Sequence, residues 1–281
     1  MKWPLVLLGM IAAASFAGPI LMHILGNASD GVDLLDRFGD PSLRHPLGTD
    51  ELGRDVLLRL FEGGRVSLVI GIAAAVAAAA IGTGIGLVAG YLGGWADRVL
   101  MRATDAMIAL PLLPLLIVLA ALDLKKLGLP ASISQSQDIS LLRIVVLAVL
   151  IGWTTAARLV RGATLVTRNR DFVRAARSLG ARVPHILWWH IFPNVLGPLI
   201  VATTLSVGDV ILLESVLSFV GLGVQPPLAS WGSMLSNAQE LITSAPLLAI
   251  YPGALIFLTV IACNLLGDAL QKRHDPIARR Y

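Results

Sequence analysis

The chain has 281 residues, of which 56% are hydrophobic and 14% charged, against roughly 25% charged in an ordinary soluble domain. That balance excludes a soluble globular class. The net charge of +4 is no nucleic-acid patch either, because the basic residues collect in loops beside apolar runs. The single cysteine, Cys263, excludes an internal disulfide.

The pattern is that of an all-α polytopic membrane protein with six transmembrane helices, and nucleic acid is not an expected partner. The first apolar run, Trp3 to Leu25, follows Lys2. Small residues at Ala12–Ala14 and Ala17 resemble a signal-peptide cleavage region, but the run is long for one and further spans follow, so an uncleaved first helix is expected. The polar stretch from Asn27 to Arg65 contains eight acids and five arginines. Near its end Val56, Leu57, Leu60 and Phe61 share one helical face, opposite Asp55 and Arg59, which predicts an interfacial amphipathic helix. Two units are therefore expected: residues 1–65, and a five-helix core at 66–281 with a connecting loop at 158–192 and a tail at 271–281.

The second span is Val66 to Leu92. Gly82, Gly86 and Gly90 recur every four residues and predict a face that another helix approaches closely. A phosphate loop at Gly82–Gly86 is rejected, since no strand precedes it. Trp95 to Arg102 reads as a short turn. The third span, Ala103 to Leu122, contains Pro111 and Pro114 and should be kinked. The connection from Asp123 to Ser140 is expected outside. A fourth span runs from about Leu141 to Ala157, with Arg143 positioned to snorkel.

Seven arginines (Arg158, Arg161, Arg168, Arg170, Arg174, Arg177 and Arg182) lie between spans four and five and place that connection in the cytoplasm. Within it Asp171 can cap a short helix over Phe172 to Leu179, and Gly180 can end it in a left-handed conformation. Pro184 can open a second helix that Pro193 interrupts. The fifth span is Val195 to Leu213. Glu214 to Pro246 has no Lys or Arg and is expected outside. Leu247 to Leu266 is the sixth span, and Lys272, Arg273, Arg279 and Arg280 keep the tail inside, so both termini are expected in the cytoplasm.

Four blocks carry a family resemblance. Ala175-Ala176, with Gly180 and Pro193 at fixed distances beyond, is similar to the "EAA" loop of ATP-driven (ABC) importer permeases. Arg174 stands where that family has Glu, and Phe192 where it has Leu. The stretch His45-Pro46-Leu47-Gly48-Thr49-Asp50 through Gly53-Arg54-Asp55 resembles the second permease subunits of dipeptide, oligopeptide and nickel systems. So do SVLSFVGLGVQPPLASWGSML, from Ser215, and GDALQKRHDP in the tail. The resemblance implies a type I ABC importer permease fold with a cytoplasmic coupling helix, in which Phe172, Arg174, Ala175, Ala176, Leu179, Gly180 and Pro193 meet an ATPase. It implies a second permease subunit, two ATP-binding subunits, an extracytoplasmic substrate-binding protein and membrane lipid as partners, in the inner membrane.

No Gly-x-x-x-x-Gly-Lys-Ser/Thr occurs, so the chain cannot be its own P-loop ATPase. The resemblance then implies ATP and Mg on partner subunits, with no cofactor in this chain, which is expected to be no enzyme. Its five histidines include no zincin pair, and no metal site is expected. Asp209 and Glu214 are the candidates for lining a translocation path, because a charge in hydrocarbon costs several kcal/mol and must face water or a partner, although Glu214, near the outer end of its span, reads first as a structural partner. Asp105, near an interface, reads instead as a structural ion-pair partner. A secondary transporter or channel using Asp209 and the Pro-broken third span is the competing expectation.

Overall fold

The computed structural model describes residues 2–24, 32–121, 137–236, 243 and 245–274. The expectations for the connection at 123–136 and for Arg279 and Arg280 fall outside these residues. Eight helices account for most of the described chain. They are α1 (Lys2–Ile24), α2 (Val56–Leu92), α3 (Gly94–Ala109), α4 (Leu112–Ala120), α5 (Gln137–Thr167), α6 (Asp171–Ser178), α7 (Val183–Phe219) and α8 (Leu247–His274). Five of them are long and apolar enough to cross a membrane, and α3 with α4 forms a bent pair, so six spans are available.

The 37 residues of α2 put it at the centre, packed along α5 and touching α1, α3, α7 and α8. At a rise of 1.5 Å per residue it is about 55 Å long, well beyond an apolar layer of about 30 Å. The interfacial helix expected before the second span is therefore the opening of α2 itself. Asp55 caps it by accepting from Leu58 N–H at 2.8 Å. Val56, Leu58 and Leu60 are buried in the bundle instead of lying along one apolar face. Gly63 and Gly64 do not break the helix, because they are contact points: a Cβ on Gly64 would come within 2.7 Å of the Trp231 ring.

Three further boundaries differ from expectation, each for a physical reason. The turn expected over Trp95–Arg102 is helical and belongs to α3, which meets α4 at 84°. Leu110 is extended at the corner (φ −72°, ψ 136°), as the residue before a proline prefers. Helix α5 continues to Thr167, so Arg158 and Arg161 sit on its last turns and only the residues from Arg168 onward form the connection. There they meet acids of α3: Arg158 Nη2 lies 2.6 Å from Asp105 Oδ1, and Arg161 pairs with Asp97, Nη2 to Oδ2 at 2.6 Å.

Pro193, finally, does not interrupt its helix. The backbone widens into a π-helical stretch over Ile186–Ile191 and closes with Phe192 N–H donating to Leu187 O. In a regular α-helix the Pro193 ring would meet the carbonyl of Trp189. The wider turn removes that clash, and Asn194 Nδ2 donates to the neighbouring carbonyl of His190 at 2.7 Å. As a result α7 is continuous from Val183 to Phe219.

Candidate functional site

At the basic end of the bundle, Arg170 is extended and Asp171 opens the first turn of α6. The other end of α6 is a Schellman turn. Ala181 N–H donates to Ala176 O at 3.1 Å and Gly180 N–H to Arg177 O at 3.0 Å, with Gly180 at φ +80°. Two short arms, α6 and the start of α7, leave this turn in different directions.

One face of this hairpin is anchored. Val173, Ile186 and Ile191 are buried with Leu87, Val160 and Val195 in a single apolar cluster. Burying side chains of this size stabilises the contact by about 1.5–3 kcal/mol each. Arg177 stands over the Tyr91 ring, 5.4 Å from its centroid. Arg168 Nη1 donates to Gly90 O at 2.7 Å. The segment is thus fixed to the end of α2 and to α5.

Its other face is open. Phe172, Arg174, Ala175 and Leu179 are exposed, Leu179 at 87% and Trp189 at 72%. Arg174 reaches Asp171 only at 4.0 Å, between two exposed side chains. Ala176 is half-buried beneath the arm, and Pro193 is exposed at the base of the second. Around Gly180 a Cβ would meet nothing within 4 Å. An exposed apolar ridge with small residues between, ringed by arginines, can seat in a groove of another protein.

Gly82, Gly86 and Gly90 face α5. A Cβ on Gly82 would come 2.5 Å from Trp153 O; on Gly86, 2.6 Å from Ala157 O; on Gly90, 2.6 Å from Thr164 Cβ. Only backbone fits between these helices, which is why α2 and α5 run in contact over such a length.

The two acids of the fifth span part company. Asp209 is exposed on α7, close to the buried Cys263 of α8, and has no hydrogen-bond or ion-pair partner among the described residues. Glu214 is only 1% exposed and accepts from the hydroxyls of Ser218 at 2.6 Å, Ser230 at 2.7 Å and Ser67 at 3.4 Å. It faces no open surface of this chain.

Sequence reasoning missed a second polar knot, where the far end of α2 begins. Asp50 accepts from Arg54 Nε at 2.8 Å and lies 3.4 Å from Arg59 Nε. His45 Nδ1 meets Asp55 Oδ2 at 2.9 Å. The alternation of acids and arginines in HPLGTDELGRD was the available signal; periodicity alone paired Asp55 with the helix face and hid the loop partners.

Residues 82–280 match the binding-protein-dependent transport system inner membrane component family. The oligopeptide transport system permease protein OppC of Bacillus subtilis is 38% identical over 88% of this chain and 77% of its own length. The glutathione transport system permease protein GsiD of Pectobacterium atrosepticum is 38% identical over 97% of this chain and 85% of its own. The probable D,D-dipeptide transport system permease protein DdpC of Escherichia coli is 38% identical over 89% and 79%.

Proposed function

The chain belongs to the family of binding-protein-dependent transport system inner membrane components, and on that premise we propose that it is the pore-forming permease subunit of an ATP-driven importer of peptides or similar small solutes. The names of its relatives support the substrate class: oligopeptide, D,D-dipeptide and glutathione systems. The family itself, a binding-protein-dependent transport system component, speaks against a secondary transporter or channel.

The observation that carries the reading is the docking segment, an exposed apolar ridge held on a rigid base at Val173, Ile186 and Ile191. We place it in the cytoplasm, on the surface of a partner ATPase, with Phe172, Ala175 and Leu179 entering the groove. Both termini lie on the same side. A second permease completes the pore, two ATPases hold ATP and Mg, and a binding protein delivers solute outside.

Asp209 supplies the path. An exposed carboxylate on α7 with no ion-pair partner among the described residues is expensive against lipid, so it faces water or the second permease. Closure of the ATPases displaces α6, and continuous α7 carries the displacement toward Asp209. Each ligand moves the equilibrium only by its preference for one state.

Affinity purification in mild detergent tests the assembly. The expected result is co-purification of a second permease and two ATPases, and uptake of peptide by the reconstituted complex only with ATP and the loaded binding protein. Purification of the chain alone, with ATP-independent uptake, would overturn it.

A further inference from the structure

The hydrogen bonds around Glu214 all run one way. Ser67, Ser218 and Ser230 each give their hydroxyl proton to its carboxylate. Each of the same three oxygens accepts a backbone N–H from the connection at 220–236. Trp231 N–H donates to Ser67 at 3.1 Å, Ser233 N–H to Ser230 at 2.9 Å and Val224 N–H to Ser218 at 3.3 Å. One carboxylate therefore ends three two-bond chains drawn from α2, α7 and the connection.

The residue types fit that duty. A hydroxyl has one proton and can accept as well as donate, so it relays an N–H to a stronger acceptor. An ionised carboxylate accepts only, with capacity for all three donors. Trp231 reinforces the seat: it is fully buried, and its indole N–H donates to Leu60 O at 2.9 Å. Gly232 comes so close that a Cβ there would lie 2.6 Å from Ser215 Cα. Without Glu214, three buried hydroxyls would lose their acceptor at once.

The placement of this knot gives it a use. It sits near one end of α7, and the other end of the same unbroken helix is anchored through Ile186 and Ile191 beneath the docking segment. Resting on the transport reading above, we propose that Glu214 is a positioning residue that fastens the external connection to α2 and α7. Arrival of a loaded binding protein outside then shifts α7 as one body and is felt by the ATPases inside. A loosely held connection would absorb the contact instead.

Two measurements test this in a Cys263→Ala background. Nitroxide labels at Gln225→Cys and Val88→Cys report the separation between the connection and α2. The stimulation ratio, ATP hydrolysis with loaded binding protein over that without, reports transmission in the reconstituted complex. The expected results for Glu214→Ala are a broadened distance distribution and a ratio reduced about five-fold or more, the lower end of ordinary coupling between sites. Glu214→Gln keeps an acceptor for Ser218 and Ser230 and should restore a narrow distribution and much of the ratio. An unchanged distribution in Glu214→Ala would overturn the fastening. A broadened distribution with an undiminished ratio would overturn the positioning role. If Glu214→Ala fails to insert, Ser230→Ala, which removes one arm, gives the same two readouts. A wild-type complex that loaded binding protein never stimulates would count against the transport reading, while the distance measurement would still judge the fastening.

Discussion

Arg168 and Gly90 close the basic end of the bundle between them: the guanidinium, one residue past α5, donates to a carbonyl in the last turn of α2 at 2.7 Å. Helix ends leave such carbonyls without partners, and Tyr91 O, 3.3 Å from the same nitrogen, is a second one. Arg168→Met keeps the apolar stem and removes the donors. We expect a loss of about 1–2 kcal/mol, below the full range for charged hydrogen bonds because the site is half open to solvent. It should appear as a lower thermal transition of the purified chain in detergent, only partly recovered by Arg168→Lys. An unchanged transition would mean that water serves these carbonyls equally well.

Gly86→Leu should damage folding and assembly far more than Leu87→Ile. A leucine at 86 would drive into Val160 and the backbone of Ala157, and overpacking of this kind costs about 1–3 kcal/mol or more. The Leu87 change preserves volume at a buried site. Yield of the assembled complex is the measurement, and a normal yield with Gly86→Leu would refute the close-packed face.

The placement of the two loop systems on opposite sides can be read with an impermeant thiol reagent. In a Cys263→Ala background, Ser236→Cys should label on intact cells and Ser178→Cys only after permeabilisation. Both positions are exposed on this chain, so accessibility reflects the side of the membrane once the partner ATPase is stripped from the docking segment. The reverse pattern would invert the topology.

Gly180→Val tests the docking segment. Nothing crowds the site, but a β-branched residue at φ +80° is strained by about 1–3 kcal/mol. Membrane insertion should stay near normal while uptake and transport-linked ATP hydrolysis fall together. Ala176→Asp, which puts a charge at a half-buried position beneath the arm, should do the same. Arg174→Glu should be tolerated, since Arg174 is exposed and its only ion pair among the described residues, to Asp171, is stretched to 4.0 Å. Full ATP-coupled uptake by Gly180→Val would separate this segment from transport.

The spans and the left-handed glycine were legible because each rests on local chemistry: an apolar run, or a small residue where the backbone must turn. What stayed hidden depends on partners distant in sequence. Arg158 and Arg161 looked like loop charges until Asp105 and Asp97 of α3 stood beside them. For Glu214 a structural role is the first reading, but its partners were hidden: Ser67, 147 positions earlier, and Ser230. Pro193 looked like a break because the remedy, a widened turn upstream, leaves no mark in composition.

That widened turn also bears on how the chain tolerates change in length. A π stretch accommodates one residue more than an α-helix spanning the same rise. Deleting a single residue between Ile186 and Ile191 would let the backbone tighten to the ordinary winding, with the Pro193 ring brought back against the carbonyl four residues before it and the helix bent there. The faces of α7 beyond it, Asp209 and Glu214 included, would stay in phase with the anchored residues before it. A deletion after Asn194 would instead rotate everything downstream by about 100°. Relatives that differ by one residue in this helix should therefore carry the gap at Trp188-Trp189, where the chain already holds its slack.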